Sequence, residues 1–224
     1  DPSPTKVWDD FENLELNGSE DEVETDSDSP SEMTIRDLIK VDCEVRAGQD
    51  AQFLVDCVRD REDWNSVLED TWFDLVELLR RAVDLQKRAG AANEYSDLSY
   101  TDHPSIRPSD QNNFFSGWTH LIDLCREAID KLCPPLLQKL LWEWRDSLVC
   151  RRLTLYYFLQ CGAPEVGTLL SAFQEDPDLW VWCNSLRAEL YPALPQIWDE
   201  CNEEEKQELA DLLVQGPPRD KYID

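Results

Sequence analysis

The chain has 224 residues, enough for one domain or one domain with a tail, and carries 48 acidic against 21 basic side chains, a net charge of -27. A surface of that sign repels nucleic acid and anionic membranes; it points to basic partner surfaces, or to apolar grooves reached through an acidic rim. No run approaches the roughly 20 apolar residues that span a bilayer, and the seven glycines hold no phosphate-binding loop or dinucleotide fingerprint.

Residues 1–33 read as a disordered acidic arm. Twelve acids stand against one base, Lys6, over residues 1–32, and too few apolar residues are present to offset the entropy of ordering. Within it, Trp8, Phe11 and Leu14 recur every three residues in an acidic frame. A short helix there presents three anchors to a basic-rimmed groove, or folds back on its own domain. Ser19, Thr25 and Ser29 each have an acid three residues on, the pattern of acid-directed kinases, and phosphate there would add negative charge. Nucleic-acid mimicry also fits the charge, but the excess is partly packed into the arm instead of spread over a rigid face.

The domain, residues 34–216, reads as all-α: about seven or eight helices around a central apolar one, with residues 217–224 as a tail. Ile35, Leu38 and Ile39 open a first helix with Thr34 as a candidate cap and Gly48 as its end. Phe53, Leu54, Cys57 and Val58 form one stripe. A turn at Arg61–Asp63 separates it from a longer one (Trp64, Val67, Leu68, Trp72, Leu75, Val76, Leu79, Val83), with Gly90 as the stop. Residues 91–113 lack any period and read as a long loop. Phe114, Trp118, Leu121, Ile122, Cys125, Ile129 and Leu132 bring helix back until Pro134 and Pro135 break or restart it. Leu136–Leu159 reads as one nearly continuous helix, apolar on most faces and therefore central. A short helix over "APEVGTLLSAF" follows. Trp180, Cys183, Leu186 and Leu190 then continue at helical spacing to an expected break over Tyr191–Pro195. A last helix starts at the cap Asn202 and stops at Gly216. Nothing alternates as a strand does.

Few residues suggest chemistry. Eight cysteines form no C-x-x-C pair and lie mostly in apolar runs, which predicts buried free thiols in a reducing compartment instead of a disulfide framework. With two histidines, His103 and His120, neither a zinc site nor a Cys–His dyad is expected, nor any cofactor. Arg151 and Arg152 inside the central helix either pair with acids or receive an acidic side chain from a partner. Trp142 with Trp144, and Trp180 with Trp182, stand about 200° apart on a helix, so one of each pair must leave the shared core face. Partly exposed tryptophan is a favoured interface anchor.

Three stretches resemble motifs of the B-cell-lymphoma family of apoptosis regulators, including divergent viral members such as the adenovirus small T antigen. "LLRRAVDL" (Leu78–Leu85) is similar to the family's death-motif helix, with Leu79 and Asp84 at its leucine and aspartate positions and Val83 where a small residue is expected. "DSLVCRRLTLYYFLQCG" (Asp146–Gly162) is similar to its central helix; Arg152 would be the groove arginine, without the Trp-Gly that normally precedes it. "LPQIWDEC" (Leu194–Cys201) resembles the following motif, with Trp198 matched and the glycines missing. The likeness covers about residues 70–216. It implies an apolar groove that takes a partner helix, a role in blocking cell death, and loss of peptide binding in Arg152→Ala with little loss of stability.

The expectation is thus a non-enzymatic, intracellular protein-binding regulator, cytoplasmic or nuclear, of viral type. Its contacts would be Trp8, Phe11 and Leu14 on the arm and Leu79, Asp84, Arg152 and Trp198 on the domain, and its partners host or cellular proteins offering an amphipathic helix or a basic-rimmed groove. A rival is an acidic nuclear transcription or cell-cycle regulator, or an adaptor that recruits a host complex through the arm.

Overall fold

The computed structural model describes residues 51–108, 118–162 and 166–217. The arm, the helix expected from Ile35 and its stop at Gly48, Phe114 and residues 218–224 lie outside the described residues. Among the described residues there are ten α-helices, one 3₁₀ turn and no strand. The fold is all-α, as expected, with more and shorter helices than seven or eight.

The first helices follow their apolar spacing. Helix α1 (Ala51–Arg59) ends in a turn at 60–63, where Arg61 grips Asp63. Helix α2 (Trp64–Arg88) buries Trp64, Leu68, Val76, Leu79 and Val83 along one side, and stops before Gly90, whose φ of +72° suits a residue without Cβ. The next stretch is not the featureless loop its sequence suggests. It holds a short helix α3 (Leu98–Asp102), capped by Asp97, and it buries Asp97, Ser99, His103 and Ile106. Polar residues, not a hydrophobic period, fasten it, so periodicity could not reveal it.

Helix α4 (Thr119–Leu132) ends at Cys133 in a left-handed conformation (φ 43°), and Pro135 starts α5 (Pro135–Glu143). Here the expected single helix over Leu136–Leu159 divides. Residues 144–147 form a turn, Ser147 is extended, and α6 (Leu148–Cys161) begins anew. The reason is partly non-local: the Asp97 carboxylate accepts the Val149 N–H at 3.1 Å, capping α6 from 52 residues away. Every residue of α6 from Leu148 to Phe158 is buried.

That burial on all sides makes α6 the shared wall of two apolar cores. Val149, Leu153, Tyr156 and Tyr157 join the first, with α2 and α4. Leu148, Leu155 and Phe158 join the second, with α7 (Val166–Glu175), α8 (Pro177–Trp180), the 3₁₀ turn (Asn184–Leu186), α9 (Arg187–Glu200) and α10 (Glu203–Gln215). The break after α5 also separates the first tryptophan pair. Trp142 stacks on Trp180 at 5.8 Å in the second core, while Trp144 packs against the first. Trp180 and Trp182 both join the second core, because α8 ends at Trp180 and the rule for a continuous helix no longer applies.

Two further expectations change. Helix α9 runs straight through Pro192 and Pro195, so no break falls at Tyr191–Pro195. Each proline forfeits one backbone hydrogen bond, but Leu190, Ala193 and Ile197, all fully buried, hold the opposite face to the second core. Cys133 and Cys161 form a disulfide (Cα–Cα 5.9 Å) that ties the ends of α4 and α6, where free thiols were expected. Their sequence neighbourhoods gave no pairing signal; the packing of α4 against α6 brings the C-terminal ends of the two helices together. Cys125, Cys150, Cys183 and Cys201 are buried free thiols, and Cys57 is exposed. No helix among the described residues is long and apolar enough to cross a membrane.

Candidate functional site

The exposed side of α2 carries Arg80, Asp84 and Lys87 at i, i+4 and i+7, a spacing that lines them along one face. Opposite stand Trp144, Asp146 and Ser147 of the α5–α6 turn. Between them lies a cleft of about 180 Å³ floored by Val83. Arg80 donates to Asp84 Oδ2 at 3.0 Å and to Glu77 Oε2 at 3.1 Å, and its guanidinium sits 5.4 Å from the centre of the Trp144 ring. The hydrogen bond to Glu77 is the main cause that raises the Arg80 pKa. Lys87 closes the far wall by pairing with Asp146. The cleft is smaller than the roughly 300 Å³ at which drug-sized ligand pockets begin; it suits a single protruding side chain.

Of the contact residues expected on the domain, Asp84 alone lines this cleft, together with Val83 and Trp144, which the sequence also singled out. Leu79 is fully buried in the first core and offers nothing to a partner in this conformation. Trp198 is 40% exposed on α9, away from the α2 residues in the chain and belonging to neither wall of the cleft. Trp8, Phe11 and Leu14, with Ser19, Thr25 and Ser29, lie outside the described residues. Sequence reasoning missed Arg80, Lys87 and Asp146; the i, i+4, i+7 charges on α2 were the available signal.

Arg152 requires a correction. It is not a groove arginine here but a fully buried one. Its Nε donates to Glu189 Oε2 at 3.1 Å and one terminal nitrogen to Glu189 Oε1 at 3.2 Å and to the His103 carbonyl at 2.7 Å. The other terminal nitrogen reaches Ser99 Oγ at 3.3 Å. Glu189 also accepts the Ile106 N–H at 2.7 Å. Arg151, equally buried, donates to the carbonyls of Arg145 and Glu94, and burial lowers its pKa. The pair of arginines therefore holds residues 94–106 against α6. Beside them His103 Nε2 and Asp123 Oδ1 lie 3.1 Å apart, both buried, with Arg126 on the same carboxylate oxygen at 2.9 Å. Burial tends to raise the Asp123 pKa, but the His103 hydrogen bond and the charges of His103, Arg126 and Arg59 outweigh it and hold the carboxyl below the usual range.

No protein-family model matches the chain, and neither the curated proteins nor the solved structures include a match to it.

Proposed function

We propose that the chain acts by binding other proteins, and that the cleft between α2 and the α5–α6 turn receives a side chain from a partner helix. The observation that carries this reading is the cleft's make-up: an apolar floor at Val83, one half-buried indole at Trp144, and two ion pairs at its rim. Those pairs are partly exposed: Arg80 and Asp84 side chains at 37% and 43%, Lys87 and Asp146 at 28% and 74%. Exposed pairs of this kind contribute about 1 kcal/mol or less. A partner's aspartate can therefore exchange with Asp84 on Arg80, or with Asp146 on Lys87, at little cost, while an apolar side chain settles over Val83 against the indole. Half-buried tryptophan and arginine are the residue types enriched where binding energy concentrates.

Regulation of cell death is the role that the likeness to the B-cell-lymphoma family attaches to such binding, and it enters here as part of the proposal. The test is titration of a fluorescently labelled amphipathic helix, with leucine and aspartate five residues apart as in Leu79–Asp84, by the full chain. Binding that weakens at least tenfold in Trp144→Ala and in Lys87→Glu is expected. Absence of binding up to about 50 µM would end the proposal.

A further inference from the structure

Among the described residues, helix α9 leaves a second face uncovered. Tyr191, Pro195 and Trp198 stand at i, i+4 and i+7, one stripe along the helix. Tyr191 is 57% and Trp198 40% exposed, and Pro195 is exposed, while Leu190, Ala193 and Ile197 fill the second core on the opposite side. Large aromatic side chains are costly to leave in water, and two on one stripe mark a surface with a use.

Four features of this face share one electrostatic sign. Aromatic rings present negative faces that attract cations. Pro195 has no N–H to return to the Tyr191 carbonyl, and Pro192 none for that of Ala188, so two acceptors of α9 lack their usual intrahelical donor. The helix C-terminus carries the negative end of the backbone dipole. Local stability calls for a basic residue in that last turn. The turn instead holds Asp199 and Glu200, both exposed, and exposed Glu203 and Glu204 open the next helix. Acids placed against the dipole are a local inconsistency of the kind that functional sites carry. The lone base of α9, Arg187, sits at the far N-terminal end.

We propose that the outer face of α9 is a docking surface for a basic amphipathic helix of another protein. The partner sets a large apolar side chain between Tyr191 and Trp198 and lays lysine or arginine across the rings, the freed carbonyls and the acidic end at Asp199 and Glu200. The charge complementarity chooses this occupant. Nucleic acid and anionic membrane are repelled, and a second copy of the chain would bring the same acids to the same place. The site differs from the α2 cleft in position and in the charge of its ligand, so the two proposals stand or fall separately.

The test uses the full chain and three labelled synthetic helices, read by fluorescence anisotropy. One carries leucine and phenylalanine at i, i+4 and i+7 flanked by lysine and arginine. The second has the same composition scrambled, and the third has glutamate for every base. The patterned peptide should bind at least tenfold more tightly than the scrambled one, and the glutamate peptide not at all. Tyr191→Ala and Trp198→Ala should each weaken the patterned peptide at least tenfold, and the charge reversal D199K/E200K likewise. Leu213→Ser and Val214→Ser, exposed apolar sites on α10, should leave binding unchanged. Equal binding of the scrambled peptide overturns the proposal, because net charge alone would then suffice. Undiminished binding in Tyr191→Ala and D199K/E200K also overturns it, as does loss in Trp144→Ala, which assigns the peptide to the cleft. Circular dichroism checks that each variant folds; Tyr191 is exposed enough for its variant to serve if Trp198→Ala does not.

Discussion

Arg152 of α6 and Glu189 of α9 form an ion pair sealed from solvent, their side chains 0% and 1% exposed and their nearest atoms 3.1 Å apart. The two charges are 37 residues apart in sequence, and each also holds the 99–106 segment, Arg152 through Ser99 and the His103 carbonyl, Glu189 through the Ile106 N–H. Three chain segments thus meet at one pair.

Removing one partner should leave the other charged and buried. Arg152→Ala and Glu189→Ala are each expected to cost about 3–5 kcal/mol, measured as the loss of unfolding free energy in urea. The double change Arg152→Met with Glu189→Leu should recover part of that cost. This outcome is the reverse of the near-neutral Arg152→Ala expected from the family likeness. A loss below about 1 kcal/mol in either single variant would show that the pair is solvated.

Acid should weaken the fold in two steps. Burial lowers the His120 pKa, against the opposing charge of Asp123, so the unfolded chain binds protons more readily than the folded one as pH falls below about 6.5. Stability should therefore begin to drop there. Asp123, depressed in the folded state, contributes above its unfolded value of about 3.9, and that contribution is lost as pH falls through the folded one. His120→Asn should flatten the first step in urea midpoints recorded across pH; an unchanged profile in that variant would rule His120 out.

The disulfide closes a loop of 28 residues between Cys133 and Cys161. Chain entropy alone assigns such a closure about 3–4 kcal/mol, which unfolding with and without a thiol reductant should reveal. Alkylation of the native, unreduced protein should modify Cys57 readily and spare Cys125 and Cys150. Burial pushes the Cys150 thiol up to about 12 and that of Cys125 higher still, so neither supplies thiolate at neutral pH. Peptide mapping that finds Cys133 alkylated without reductant would contradict the bridge.

Asn202 caps α10 through a reciprocal arrangement. Its side chain accepts the N–H groups of Glu204 and Glu205, and the Glu205 carboxylate accepts the Asn202 N–H in return. Asn202→Ala should cost about 1 kcal/mol in urea unfolding. Asn202→Asp should cost much less, since aspartate keeps the acceptor.

Local sequence determined a good deal of this protein. The cap at Asn202 with Gly216, the turn at 61–63, the stripe from Trp64 to Val83 and the restart at Pro135 are set by residues within a few positions of each other, and they stand where local chemistry places them. The identity of the most buried helix was legible for the same reason: apolar residues on every side of 148–158 leave no face for water. Tertiary packing decided the rest. The division of that helix at 144–147 involves a carboxylate on Asp97, and the continuity of α9 through two prolines rests on the core beneath it. Whether Arg152 faced a partner or Glu189, whether Cys133 met Cys161, and which wall Trp144 presented were all fixed by segments distant in the chain. Burial, pairing and exposure are relations between such segments, and no local pattern encodes them.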